Sequence, residues 1–306
     1  MSGVAATWRP SDPADDPDAV QAVVTAAIAQ DGVAAVSGHV LEAIAAGRAE
    51  VCVIPSATGS GLDGLAVALG GGPAEVVVAP SARGRGLGTR LVRAALDRQP
   101  GVWAYGDLPA AASVAARLGL VRGRGLVQLR RAGDGAVGPG PVPELPAGVS
   151  IRSFQPGDED QIVGVNARAF AWHPEQGAMT RADLDEQIAQ DWFDPAGLFV
   201  AVAPDADGTE RIVGFHWTKV HPVDPTPRSG PVGPIGEIYV LAADPAAGVR
   251  GVGGPLTAAG LDHLAGRGLT TVMLYTEADN DRALALYRRF GFTLFVGNVV
   301  YQSASD

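Results

Sequence analysis

Two stretches of the chain share one order of hydrophobic and polar positions. In the first, Val76-Val77-Val78-Ala79-Pro80 ends at a proline and runs into SARGRGLGTRLVRAAL. In the second, Ile238-Tyr239-Val240-Leu241-Ala242-Ala243-Asp244-Pro245 runs into AAGVRGVGGPLTAAGLDHL. A β-rich apolar run bounded by a turn residue predicts a buried strand, and leucine and alanine at helical spacing predict the helix that follows. In both stretches a glycine six residues past the proline, Gly86 or Gly251, opens that helix. Leu118-Gly119-Leu120 and Phe290-Gly291-Phe292 close the two patterns alike. Agreement at so many offsets predicts a duplicated unit.

Each unit reads as mixed α/β. In the first, strand-like runs cover 50–54, 65–69, 75–78, 102–105 and 126–130, with helical patterns at 89–97 and 111–118. In the second, strands are expected at 151–154, 198–203, 211–219, 236–241, 271–276 and 293–300. Helices are expected there at 158–170, 254–265 and 281–290. Arg131–Gly148, RAGDGAVGPGPVPELPAG, carries Gly and Pro throughout with no apolar period, as a linker does. The expected division is a first unit over 1–134, a linker over 135–148 and a second unit over 149–306.

Composition narrows the class. With 47% hydrophobic and 18% charged residues, the 306-residue chain buries a core and is not disordered. A net charge of −10 argues against a surface that neutralises nucleic-acid phosphates. The single Cys52 excludes a disulfide framework and a thiolate zinc site, and it fits a reducing cytoplasm. No basic-then-apolar leader and no apolar run of ~18 residues is seen. The expectation is a soluble cytoplasmic monomer with small-molecule partners, and neither a nucleic acid nor a membrane among them.

The glycine-rich turns carry the chemistry. Arg83-Gly84-Arg85-Gly86-Leu87-Gly88 lies between a strand and a helix, where converging N–H groups and the helix N-terminus favour a phosphate. Arg83 and Arg85 offer further donors to a pyrophosphate. Neither turn has the Gly-Lys-Ser/Thr of a P-loop, and neither has the spacing or position of a dinucleotide fingerprint. Three histidines, His173, His216 and His221, lack metal-ligand spacing and read as packing or rim groups, so no metal is expected. Glu277, Asp279 and Asp281 read as a strand-to-helix turn.

The turns resemble the acyl-coenzyme A signature Arg/Gln-x-x-Gly-x-Gly/Ala, which Arg83, Gly86 and Gly88 match. Gly251 and Gly253 match it in the second unit, with Gly248 where Arg or Gln is usual. Asn280-x-x-Ala283-x-x-x-Tyr287-x-x-x-Gly291-Phe292 resembles the last helix and strand of the GNAT N-acetyltransferases. The resemblance implies two tandem GNAT domains, each a mixed, mostly antiparallel sheet flanked by helices. It implies acetyl-coenzyme A as donor and Tyr287 as the acid that protonates the departing thiolate. Glu237, three residues before Val240, is then the base or the ammonium anchor for the acceptor amine.

AFAWHPEQG, GFHWTKVHP, GEIYVLAADPAA and MLYTEADN extend the resemblance to the mycothiol synthase family of actinobacteria, over nearly the whole chain. That family acetylates the cysteinyl amine of cysteinyl-glucosaminyl-inositol. The resemblance implies acceptor contacts at Glu175, Lys219, Glu237 and Tyr275. In the first unit it implies donor contacts at Val76, Val77, Val78, Gly84, Arg85, Gly86, Leu87, Gly88 and Thr89. In the second it implies Leu241, Ala242, Ala243, Gly248, Val249, Arg250, Gly251, Val252, Gly253 and Gly254, followed by Asn280, Asp281, Arg282, Ala283, Leu284 and Ala285.

Superposing the closing glycines sets Ala115 opposite Tyr287 and Leu108 opposite Asn280, and superposing the prolines sets Gly72 opposite Glu237. The first unit is therefore expected to hold coenzyme A without turnover. Two alternatives stay open: another small amine as acceptor, or a non-catalytic acyl-coenzyme A sensor.

Overall fold

Val20, Val23, Val24 and Ala27 recur at the i, i+3, i+4, i+7 spacing that turns one helical stripe onto a sheet. They belong to the opening helix, one of several elements that the pattern reading above passed over. The computed structural model describes residues 7–12, 17–57, 59–132, 143–173, 176–205, 208–224 and 233–304. The first unit runs β1 (Trp8–Pro10), α1 (Pro17–Asp31), α2 (Gly38–Ala45), β2 (Glu50–Pro55), β3 (Leu62–Ala68) and β4 (Ala74–Val78). It continues with α3 (Leu87–Leu96), β5 (Gly101–Ala104), α4 (Pro109–Leu118) and β6 (Val121–Ala132). The second runs β7 (Ser150–Ser153), α5 (Glu159–Ala169), α6 (Arg181–Ile188), β8 (Leu198–Pro204), β9 (Glu210–His221) and β10 (Ile235–Ala243). Then come α7 (Gly253–Gly266), β11 (Thr271–Glu277), α8 (Asp281–Arg289) and β12 (Thr293–Gln302).

These strands form one mixed sheet in the order β1-β2-β3-β4-β5-β12-β6-β11-β10-β9-β8-β7. The order exposes an exchange at its centre. The last strand of each unit pairs with the fifth strand of the other, β12 with β5 and β6 with β11, and the two exchanged strands pair with each other. Each half of the sheet is thus finished by the other half of the chain. The linker expected at 135–148 lies partly outside the described residues; beyond it, Pro143 packs on Gly254 and Pro146 on Gly251.

Both units open a gap in the sheet at the same place. β4 and β5 pair in parallel only at Ala74↔Val102 and Glu75↔Trp103, and β10 and β11 only at Gly236↔Val272 and Glu237↔Met273. Past these rungs the strands diverge, so one edge of Val76–Val78 and of Ile238–Ala243 has no ladder partner. Unpaired backbone amides and carbonyls need a partner, and an extended ligand can supply it.

Helices cover the sheet according to side-chain alternation. Leu256, Leu261 and Leu264 of α7 are fully buried, and Leu264 and Leu261 meet Leu274, Phe292 and Tyr287 in one cluster. Phe215 and Trp217, two apart on β9, fill a second cluster with Ile162 and Leu184. Each such side chain contributes about 1.5–3 kcal/mol by leaving water. The α7 contact is close because residue 260 is glycine: a Cβ there would overlap the His216 ring. Burial pushes the His216 pKa down to about 4, and the neutral ring's Nδ1 donates to the Leu256 carbonyl at 2.7 Å. Among the described residues no helix is long and apolar enough to cross a membrane, and no cluster of His, Cys, Asp or Glu fits a metal ion.

Candidate active site

The donor side of the second unit is built from the open edge of β10 and the turn into α7. β10 carries a bulge between Ile238 and Val240, which detaches Leu241, Ala242 and Ala243 from the direction of β11 while they stay paired to His216, Phe215 and Gly214 of β9. Gly248 and Gly251 both have positive φ, the left-handed conformation that bends the chain back towards Gly253 at the start of α7. Leu286 of α8 lies against Gly253 of this turn, and at the head of α8 the Asn280 side chain accepts from the Ala283 amide at 3.1 Å. Asn280 is therefore the N-cap of α8, and Asp281 adds negative charge to its first turn. Leu284 is buried in the core rather than turned to a ligand.

Tyr287 sits two turns along α8, buried and edge-on to Phe292 at 5.8 Å between ring centres. Its hydroxyl has no hydrogen-bond partner among the described residues. Burial raises its pKa above the ordinary 10, so the phenol keeps its proton.

The residues expected to hold the acceptor lie on the opposite face. Glu237 is the cross-strand partner of Lys219 on β9 and of Met273 on β11, so the three share a face; Tyr275, two residues past Met273, shares it too. Ile238, the neighbour of Glu237, points the other way, into the cluster that holds Tyr287. Carboxylate and phenol thus flank the gap between β10 and β11 from its two sides.

Lys219 lies over the rings of Trp192 and Tyr239 at 4.1 and 5.0 Å. Burial lowers its pKa, and the charges of Glu237 and of Glu42 on α2 raise it in opposition. Glu237 accepts a 2.6 Å hydrogen bond from His221 Nε2. Tyr275 is 37% exposed, and its hydroxyl accepts from Gln128 Nε2 at 2.6 Å. Gln128 is held in turn by Arg130, which pairs with Asp224 at 2.6 and 2.9 Å. Gln128 and Arg130 belong to β6, so the first half of the chain reaches into the acceptor face of the second. Glu175 lies outside the described residues.

Sequence reasoning missed His221, Gln128 and Arg130. His221 had a signal: Trp217, Lys219 and His221 alternate along one strand and share one face. Gln128 had none, because its role depends on the strand exchange.

The first unit contains a formed counterpart of the donor site. A cavity of about 380 Å³ is lined by Val76, Val77, Val78, Gly84, Gly86, Leu87, Gly88 and Thr89, and beside them by Tyr105 and Ala115. Gly86 is the N-cap of α3 with φ of +80°, and Gly84 also has positive φ. Two expectations need correction here. Arg83 does not offer itself to a pyrophosphate: it makes paired hydrogen bonds to Asp31 at 2.6 and 2.7 Å. Arg85 is exposed and donates to the Ser81 carbonyl.

The second correction concerns the acidic residue. The strand rungs set Glu75, not Gly72, opposite Glu237, since each precedes the divergence of its strand pair. The prolines mislead because β10 runs on through its bulge, placing Glu237 eight residues before Pro245 while Glu75 is five before Pro80. By the same register Tyr105 answers to Tyr275. Glu75 is buried and already satisfied, accepting from the Ser37 amide at 2.6 Å and from Tyr105 Oη at 2.8 Å. The phenol has no counterpart: α4 and α8 end alike at left-handed Gly119 and Gly291, and Ala115 stands where α8 has Tyr287.

Strands that diverge past a short parallel pairing, a left-handed glycine turn into a helix, and a carboxylate at the divergence define a GNAT acyltransferase. The Acetyltransferase (GNAT) family model matches residues 166–292. Among solved structures, a GCN5-related N-acetyltransferase from Sphaerobacter thermophilus superposes with a TM-score of 0.67 at 22% identity, covering 98% of this chain and 97% of that one. A tandem GNAT protein from the clavulanic acid biosynthesis pathway gives 0.63 at 20% identity, covering 98% and 99%. These two likenesses concern the fold.

Sequence relatives go further. A mycothiol acetyltransferase of Frankia alni is 45% identical over 96% of this chain and 93% of its own length. Those of Thermomonospora curvata and Nocardia farcinica are 46% and 43% identical, over 96% of both chains and 98% of both chains. The chain belongs to the mycothiol acetyltransferase family. It is an N-acetyltransferase whose donor is acetyl-coenzyme A.

Proposed function

We propose that the acceptor is cysteinyl-glucosaminyl-inositol and that the second unit, 149–306 completed by β6, acetylates its cysteinyl amine. The observation that carries this reading is the placement of Glu237, Lys219 and Tyr275 on one face of the β10–β11 gap, with Tyr287 on the other. A cysteinyl α-amine titrates at about 7.7–8.0, so a carboxylate suffices to take its proton when it is bound as the ammonium. Glu237 takes that proton, and the freed nitrogen attacks the thioester carbonyl. The open backbone edge at Leu241 offers an N–H to the developing oxyanion. Tyr287, kept protonated by burial, gives its proton to the thiolate that leaves, and the second proton shed by the acetylated nitrogen restores the phenol. A polyol acceptor needs several donors and acceptors, and Lys219, Tyr275 and Glu175 supply them.

On this reading the first unit, 1–134, holds a second acyl-coenzyme A without turnover. Its cavity is formed, its Glu75 is spent on Ser37 and Tyr105, and it has no phenol. The protein then works as a cytoplasmic monomer; the single buried Cys52 and a sheet completed within one chain agree with that. The test is a thiol-release assay with acetyl-coenzyme A across an acceptor panel. The cysteinyl pseudodisaccharide is expected to exceed an aminoglycoside and a peptide N-terminus by ~10⁴-fold in kcat/KM, the scale at which a site built to hydrogen-bond its substrate rejects analogues lacking those groups.

A further inference from the structure

We propose that His221 is the positioning residue for Glu237, and that the two side chains operate as a dyad; this rests on the reading of Glu237 given above. The atoms His221 Nε2 and Glu237 Oε2 are 2.6 Å apart. At that distance one proton lies between them. An ionised carboxylate brings none, so the imidazole is the donor, and its tautomer carries hydrogen on Nε2. Both side chains are largely enclosed, with 20% and 10% of their surface exposed.

The contact is diagonal across two strands. The backbone partner of His221 is Ile235 and that of Glu237 is Lys219, so the imidazole leans along the face to reach the carboxylate. Its hydrogen bond occupies Oε2 and fixes the rotamer of Glu237. Oε1 is left as the basic atom turned to the acceptor. In the transfer the acceptor N–H bond breaks and an Oε1–H bond forms, the Oε2···H–Nε2 bond persists, and the proton afterwards passes to water.

Charges from three elements surround the dyad. Lys219 faces it from β9, Glu42 of α2 is coupled to Lys219, and Arg130 of β6 is neutralised by Asp224 just past the end of β9. The Lys219 ammonium is therefore the cation beside Glu237, and the neutral imidazole orients the carboxylate without adding a second.

The experiment uses the full chain and the cysteinyl pseudodisaccharide. His221→Gln and His221→Phe are compared with wild type and with Glu237→Gln, measuring kcat and both KM values at pH 7.5. The expected result for the His221 variants is a loss of about tenfold or more in kcat at pH 7.5, the scale of a proton transfer made less well aligned. KM for acetyl-coenzyme A stays within about twofold, so the loss falls on kcat and not on donor binding. His221→Gln, which keeps an N–H donor, retains more activity than His221→Phe.

A wild-type kcat in folded His221 variants, with Glu237→Gln inactive, overturns the dyad and leaves the proposed function standing. Full activity in Glu237→Gln overturns the proposed function itself. Independently of any variant at 221, proton NMR of histidine-labelled wild type is expected to show a downfield Nε2–H resonance that moves upfield in Glu237→Gln. Finding no such resonance overturns the dyad.

Discussion

Gln128, on a strand supplied by the first half of the chain, donates a 2.6 Å hydrogen bond to the Tyr275 hydroxyl on the acceptor face of the second. The bond exists because β6 and β12 are exchanged, so the proposed acceptor site draws on both halves. Gln128→Leu is expected to raise the acceptor KM by about fivefold, the cost of one hydrogen bond of ~1 kcal/mol, while KM for acetyl-coenzyme A stays unchanged. Steady-state kinetics with each substrate varied in turn checks it.

The same exchange makes the second unit dependent on the first. A fragment of residues 149–306 lacks the strand between β11 and β12, leaving two long apolar edges open. It is expected to be insoluble or molten by circular dichroism and to recover a cooperative urea transition when co-expressed with residues 1–148. A stable, cooperatively folded fragment on its own would count against the exchanged topology.

Tyr287→Phe is expected to lower kcat by about 10²-fold or more, the range of general-acid catalysis, with the melting temperature held because the ring stays in its cluster. Burial raises the phenol pKa, so the acid form persists to higher pH than in a free tyrosine. The ratio of wild-type to variant kcat therefore stays constant up to about pH 9, well below the ordinary tyrosine value near 10. A pH series of both proteins measures this ratio.

Glu75 makes stability depend on pH. Burial raises its pKa, and the hydrogen bonds from Ser37 and Tyr105 oppose this without cancelling it. The folded state then binds the proton more tightly than the unfolded state. Its stabilising contribution is complete below the unfolded carboxyl pKa and is lost as pH rises through the folded one. Glu75→Gln is expected to gain stability over wild type at pH 8 and to lose that advantage towards pH 4, as thermal melts across the range would record.

Gly260→Ala drives a methyl group into the His216 ring. Overpacking of this kind costs about 1–3 kcal/mol, read as a lower urea midpoint with an unchanged slope.

Much of the fold was legible because its signals were local. The runs ending at Pro80 and Pro245, the glycines at 86 and 251, and the helix closures at Gly119 and Gly291 each encode geometry within a few residues. What stayed hidden was long-range. β6 and β12 are both alternating strands after a left-handed glycine, and nothing in either pattern says which fifth strand it joins. Glu75 was misaligned because β10 runs three residues further than β4 between this rung and the proline, one of them the bulge, without changing rung order. Motif alone singles out Tyr287 and Glu237 as candidates, whereas His221 carries no motif, because its partner sits sixteen residues away on the next strand.

The most direct test of the account is the acetylation rate of Glu237→Gln and Glu75→Gln side by side, with the cysteinyl pseudodisaccharide and saturating acetyl-coenzyme A. The expected result is a loss of about 10²-fold for Glu237→Gln and a change within about twofold for Glu75→Gln. The reverse pattern, with Glu75 required and Glu237 dispensable, would put the chemistry in the first half and contradict the account.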